Sequence, residues 1–523
     1  MWPFTNKNKK KKINTIAYKK YAAAQSDRLT ADWMATKATV DQEIQNAIGP
    51  LRDRARQLER DNDYVRAALR TFEDNVIGEG IGFQAQTKML RGGALNQDLN
   101  DKIEELWCEW TNKINCDVKG ESHFEDIERL VVRSLKRDGE VFVRKVRQSF
   151  GSSKVPLALE VIESDMLDEH YNVNPSTVNS NYIRMGVEKN KWGRPVAYHF
   201  WSKHPSDVPY TTVNQKRIRV PAEDIFHIYV IERAGQTRGV SHLASSMVRL
   251  HQVEGFEGAT VIQQRAGASL MGIIETPEGE LVGDDVEGEQ RIYDFEAGAI
   301  KMLNSGEKFV VPSLPNTIGN FDPFMRAMLR SVGAGSGVSY ESISKDYSQS
   351  NYSSTRQSLL DERTYFKIIQ KWIIRNFHQA LFNDWLETAY LFGAIELPNF
   401  MAQKSNYLKV KWQPPRWQWI DPLKEVNAYK EAVRAGFMTQ TEVVNQSGGD
   451  IDELMTQRKR EVELAEENDL YFESNPEYEL DPEYTNPNAS TSMDSTDSTD
   501  NTDSTDTTDT AEEKSMRRNK KNK

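Results

Sequence analysis

Between residues 51 and 72, apolar positions recur at Leu51, Ala55, Leu58, Val65, Leu69 and Phe72, with dense charge between them. That is the spacing of one buried helical face. Residues 30–77 are therefore expected to be helical, with Thr39-Val40-Asp41-Gln42 as a capped start and Gly78, Gly80 and Gly82 as the break. Two further helices are predicted over 99–111 and 123–138.

After Gly139 the period changes from helical to alternating. EVFVRKVRQ reads as a strand, VPLALEVIESDML as its partner, and residues 180–232 continue the β-rich pattern with a turn near Trp192-Gly193. These strands lie too close in sequence for repeated helical crossovers, so the expected body is α+β with mainly antiparallel pairing. A helix is predicted over 240–266, with Leu243, Met247, Leu250 and Val261 among its apolar residues, followed by a short strand, SLMGIIE. Residues 276–296 are acidic and glycine-containing, and read as a loop.

Phe321 to Ser331 reads as a helix ending near a flexible GAGSG, where Gly333, Gly335 and Gly337 permit a bend. The polar stretch DYSQSNYSS reads as a loop. From Thr355 to Gly393 a long helix follows, its stripe formed by Leu359, Phe366, Ile369, Ile373, Phe377, Leu381 and Trp385. Trp412, Trp417 and Trp419 are expected to pack into a core beside a proline-rich turn. Helices then run to about residue 471, and the low-complexity stretch beyond it is expected to be disordered.

Charge changes how the 523 residues are divided. The formal net charge is −11, but residues 461–513 hold 18 acidic residues and no Lys or Arg, and the last ten residues carry six positive charges. Residues 1–460 are left at +1, a nearly neutral body with an acidic tail and a basic end. A strongly basic, sequence-reading nucleic-acid binder is not indicated. The start, with Lys7 to Lys12, is a basic arm without the apolar core of a signal peptide. No run long and apolar enough to span a membrane is evident, and two cysteines, Cys108 and Cys116, offer no disulfide framework.

Chemistry-bearing patterns are sparse. The eight histidines stand in no metal-binding spacing and read as structural or surface residues. There is no phosphate-binding GxxxxGK[ST] and no nucleophile elbow. The pairs Glu223–Asp224 and Asp361–Glu362 are the carboxylates that a metal site would use, and no second cluster accompanies them. No catalytic residue, metal or cofactor is assigned.

Four blocks in order carry a family resemblance. The first has Asn62, Asp63, Tyr64, Arg66 and Ala67, then Asn75, Val76, Gly78 and Gly80. The second has Pro221, Asp224, His227, Arg233, Gly235, Gln236, Arg238 and Gly239. The third runs from Asn320, Phe321 and Phe324 through Ala334, Gly337, Ser339, Tyr340, Asp346, Tyr347, Asn351, Tyr352, Ser353, Ser354 and Arg356. The last is WQPPRWQWIDPLKE with a later GGD. Over about residues 40–460 the chain resembles the lambda-like family of tailed-bacteriophage portal proteins.

That resemblance implies a phage portal fold: an α/β wing, long stem and crown-side helices and a small clip, assembled as a ring, typically of twelve copies. The expected segments are a basic arm at 1–29, a wing-like body at 30–239, a stem and clip at 240–320, a helix, channel loop and long helix at 321–395, a crown-like region at 396–471 and an acidic tail at 472–523. The implied location is the capsid portal vertex of the virion, with assembly in the bacterial host cytoplasm. The implied function is passage of double-stranded DNA without sequence specificity, in packaging, head–tail joining and ejection. The implied partners are the terminase large subunit, the major capsid protein, head-completion or tail connector proteins and a scaffolding protein.

By the same analogy Asp346, Tyr347, Ser348, Gln349, Ser350, Asn351 and Tyr352 form the candidate channel loop, or else a plain connection. The turn Arg233, Gly235, Gln236, Arg238 and Gly239 is expected to be structural or to bridge subunits. Two other functions remain open at this point: a ring scaffold or adaptor that conducts no DNA, and a metal-dependent nuclease built on scattered carboxylates.

Overall fold

A computed structural model describes residues 37–89, 95–207, 216–269, 273–275, 308–310, 318–349, 351–417, 422–446, 451–468 and 470. The basic arm, the acidic stretch 276–296, Ser350, Trp419 and the tail from 471 lie outside these residues.

The first expected helix is three helices: α1 (Val40–Gln45), α2 (Ile48–Asp61) and α3 (Asp63–Val76). Thr39 starts α1 with a capping box shared with Gln42. Asn62 makes the second break. Its extended backbone ends α2, while its side-chain oxygen accepts the Val65 N–H at 3.1 Å and caps α3. The apolar period runs straight through this corner, so the pattern alone reads as one helix.

β1 (Gly82–Ala85) follows, then α4 (Gln97–Trp110), α5 (Lys113–Cys116) and α6 (Phe124–Arg137), with the longer pair close to expectation. β2 (Glu140–Val146) pairs antiparallel with β3 (Ala158–Ile162). A second sheet is antiparallel in the order β4 (Tyr182–Arg184), β5 (Val187–Lys189), β6 (Pro195–Trp201) and β7 (Arg217–Pro221). β8 (Ile225–Tyr229) returns to pair with β2.

The helix expected from residue 240 instead begins at α7 (Met247–Ser269), with turns over 242–246. The Ser241 hydroxyl accepts the Leu243 N–H at 3.2 Å; short polar side chains that bond the local backbone favour turns over helix. β9 (Ile273–Glu275) and β10 (Lys308–Val310) form an antiparallel pair.

α8 (Ile318–Ser336) continues through Gly333, Ala334 and Gly335, so that stretch is helix rather than a flexible bend. Gly333 is needed there: a Cβ would lie 2.7 Å from the Val338 carbonyl oxygen. Gly337, at φ +70°, ends the helix. α9 (Tyr340–Ser344) and α10 (Tyr352–Ile373) come next, α10 starting three residues before the expected Thr355.

A π-helical segment, Ile374–His378, joins α10 to α11 (Gln379–Leu391). The predicted stripe is buried from Phe366 to Trp385, and Leu359 is half-buried. α12 (Phe400–Tyr407), β11 (Val410–Gln413) and α13 (Pro422–Arg434) complete this unit, with β11 pairing antiparallel to β1.

The main core joins distant parts of the sequence. Phe72, Trp107, Trp110, Val131 and Val143 share one buried cluster with Phe366, Phe377, Phe382 and Trp385. Burial of each such large side chain contributes about 1.5–3 kcal/mol. Trp412 and Trp417 pack at its edge as expected. Among the described residues, 439–445 and those from 451 onward form a second unit, with α14 (Gln440–Gln446) as far as Asn445 and α15 (Ile451–Glu467). Among the described residues no helix is long and apolar enough to cross a membrane.

Candidate functional site

The polar loop before α10 is exposed at its tip and tied down at both ends. On its N-terminal side Ser339 caps α9, its hydroxyl accepting the Ser342 N–H at 3.2 Å. Lys345 closes α9 in the left-handed region, at φ 56°. On the C-terminal side the Asn351 side chain accepts the Ser354 N–H at 2.8 Å and starts α10, with the Ser354 hydroxyl accepting back from Asn351 N–H. Tyr352 opens the first turn of α10.

Two carboxylates brace the loop. Glu362, on α10, accepts from Ser339 N–H at 3.0 Å and from the Ser342 hydroxyl at 3.0 Å. Asp346 accepts from the Tyr340 hydroxyl at 2.7 Å and from Ser348 N–H at 3.0 Å. The bonds from Ser348, then Tyr340, hold its carboxyl down to about 2, so the brace persists in mild acid. Tyr347, Ser348 and Gln349 stand exposed between the anchors, with no charged side chain among them. A cleft of about 450 Å³ adjoins the loop base, lined by Arg330, Ser339, Tyr340, Asp361 and Glu362 among others.

The second candidate, residues 233–239, folds around a buried ionic node. Arg238 is fully buried; its Nε donates to both oxygens of Glu140, at 2.8 and 3.0 Å. Its other nitrogens donate to the carbonyls of Met185 and Ser164, at 3.0 and 3.1 Å. Glu140 also accepts from His227 Nε2 at 3.0 Å and from Gly239 N–H at 2.8 Å. The Arg238 charge and the His227 contact hold the Glu140 carboxyl well below the usual carboxylate range despite burial.

The Gln236 side chain bridges Glu232 N–H and the Arg238 carbonyl, and Gly235 turns the chain at φ +87°. Gly239 crosses Gly139 so closely that a Cβ would lie 2.2 Å from the Gly139 carbonyl oxygen. Arg238, Gln236 and Gly239 thus make these contacts within one chain. Arg233 differs: it is exposed and pairs with Glu43 at 2.9 Å.

Among the other expected carboxylates, Glu362 is used in the loop brace, and Asp224 pairs with Arg147. Of the histidines, His227 bonds Glu140, and His378, fully buried in the π-helical segment, bonds Glu128. Sequence reasoning did not anticipate one grouping. Glu163, Asp165 and His204 bring a ligand atom each within 4.8 Å of one another. Asp165 is already neutralised by Arg52 and Arg56, at 2.9 and 2.7 Å, which opposes binding of a cation. Its three members lie on loops around β3 and β6, and no sequence spacing signals that convergence.

Comparison with known proteins places the chain among the structural proteins of virions, for a family model described as "Phage portal protein, lambda family" matches residues 26–370. The chain belongs to the lambda family of phage portal proteins. A probable portal protein of Halomonas phage phiHAP-1 is 30% identical over 84% of this chain and 86% of its own length. Portal protein B of Escherichia phage lambda is 22% identical over 78% of this chain and 82% of its own. Among solved structures, a chain from the neck of a native gene transfer agent particle, computed with C12 symmetry, overlays with a TM-score of 0.45 at 14% identity. That overlay covers 76% of this chain and 93% of the other.

Proposed function

We propose that twelve copies of this chain form a closed ring at one capsid vertex, and that double-stranded DNA passes along its axis during packaging and ejection. Twelve is the copy number that the family resemblance implies. In this reading residues 30–239 are the wing-like body, 240–320 the stem and clip, 321–395 the channel-side helices and loop, and 396–471 the crown-like region. Residues 1–29 are a basic arm and 472–523 an acidic tail.

The loop from Asp346 to Tyr352 faces the channel. The observation that carries this assignment is the loop's construction: an exposed tip of Tyr347, Ser348 and Gln349 without charge, held between two capped helices. A translocation channel must hold DNA without fixing it, and each Lys or Arg on a phosphate adds salt-dependent affinity that opposes sliding. Hydroxyl and amide groups give weaker, exchangeable contacts.

The chain is proposed to have no catalytic role. ATP hydrolysis belongs to a docked terminase large subunit, and the major capsid protein, a scaffolding protein and head-completion or tail connector proteins are the remaining partners. The employment of Glu362, Asp224 and Asp165 in local ion pairs or hydrogen bonds supports this. The test is deletion of residues 348–351. Rings should persist while DNase-protected DNA per particle falls at least tenfold. Undiminished packaging would remove the loop from the channel.

A further inference from the structure

Lys136 lies on α6 and is 1% exposed. Its ammonium donates to the Ser336 carbonyl at the end of α8 and to the Tyr365 hydroxyl, 3.3 Å away. It also sits over the rings of Phe72 and Tyr365, 4.6 and 5.2 Å from their centroids. These groups offer partial negative charge, and none is an anion. Among the described residues no carboxylate pairs with Lys136.

Three other buried cations are treated differently. Arg238 holds Glu140, Arg52 holds Asp165 and Glu169, and Lys145 holds Asp384. A charge removed from water without a counter-charge is costly, and proteins pair it or neutralise it. Burial accordingly pushes the Lys136 ammonium down to about 7.

Beside Lys136 lies a cleft of about 470 Å³ between α6, the turn before α7, the end of α8 and α10. Ser241, Ser245 and Tyr365 bring hydroxyl groups to its lining. His242, also lining it, is pushed down to about 3 by burial and by Lys136, so it is neutral at pH 7 and available as a donor. The one carboxylate of the lining, Glu232, belongs to an exposed residue at the rim.

We propose that this cleft binds a small oxyanion, phosphate or carboxylate, which supplies the missing counter-charge of Lys136. The anion accepts from the Lys136 ammonium and the surrounding hydroxyls. Bound there, it ties α6 to the end of α8 and to α10. Its source is either a free anion or an acidic side chain of a second copy; the latter rests on the ring reading above.

The experiment is isothermal titration of the full-length chain with inorganic phosphate at pH 6.5, against chloride at matched ionic strength. It is run first on monomer, below the concentration at which rings form. Saturable binding near one phosphate per chain is expected, weakened at least tenfold in Lys136→Met. Ser245→Asp is the second variant: Ser245 is exposed, so the fold is retained, and the new carboxylate occupies the cleft and excludes phosphate.

No saturable binding to monomer, or equal binding by both variants, overturns the proposal. Rings that still bind phosphate identify a free anion as the occupant. Rings that do not, from a monomer that does, identify the carboxylate of a second copy. A chain that binds phosphate but never forms rings would contradict the portal-ring reading and leave the anion site standing.

Discussion

Arg238 and Glu140 face each other with neither side chain exposed, the guanidinium Nε 2.8 and 3.0 Å from the two carboxylate oxygens. The pair joins the start of β2 to the carbonyls of Ser164 and Met185, and so ties the β2 sheet to the β4–β7 sheet. Removing one partner of such a pair leaves an uncompensated buried charge, at a cost of about 3–5 kcal/mol. Arg238→Met is expected to lower stability by that amount in urea denaturation. Arg233→Ala, which loses an exposed pair with Glu43 and an exposed bond to the Ala38 carbonyl, is expected to cost less than about 1 kcal/mol.

The same node sets an acid limit. Glu140 is held below its ordinary value of 4.5, and burial holds His227 below its ordinary 6.5. In both cases the unfolded chain binds protons that the folded chain refuses, so stability rises with pH across the window and is lost as pH falls. Melting temperature is expected to decline from pH 6.5 downward, more steeply below 4.5. His227→Gln should flatten the part between 6.5 and 4.5 while leaving the lower part.

Lys136 gives the opposite end of the range. Its folded value near 7 lies below the ordinary 10.5. Between those values the unfolded chain holds a proton that the folded one lacks, so stability contributed at this residue rises with pH and levels off above 10.5. In phosphate-free buffer, wild type should gain stability relative to Lys136→Met between pH 7 and 10, read as a difference in melting temperature.

Much of the helical layout is legible in the sequence because local periodicity fixes it. The helices near 99–111 and 123–138, the hairpin of β2 and β3, and the buried stripe from Phe366 to Trp385 all follow from spacing. The break at Asn62 does not, because the apolar period continues across it and only the backbone corner reveals the cap. The turn before α7 is hidden by apolar residues at helical intervals, and it is Ser241 that bonds the local backbone there.

The sites were less legible, for one physical reason. Arg238 and Glu140 are 98 residues apart, and Lys136 and Ser336 are 200 apart. Sheet register and helix packing bring these groups together, and neither is written in local spacing. The resemblance marked Arg238 and His227, but it could not name Glu140 as their shared partner. Asp346 and Asn351 carry no local signal of the brace and the cap that the geometry gives them.

The π-helical segment offers another test. His378 there is fully buried and bonds Glu128, which also accepts from Ile81 N–H at 3.3 Å. Glu128→Ala leaves both donors without that acceptor, at about 1–3 kcal/mol for each unsatisfied buried group. A drop in the denaturation midpoint is expected, with the far-ultraviolet circular dichroism of the native baseline unchanged.

The central claim is that this chain closes into a ring around an axial opening. Electron microscopy of the purified full-length protein over a range of concentrations, with rotational symmetry determined from class averages, tests it most directly. The expected result is closed twelvefold rings with a central opening about 20 Å or more across, wide enough for duplex DNA whose major groove alone spans about 12 Å. Assemblies without an axial opening, open filaments, or failure to assemble at any concentration would contradict it.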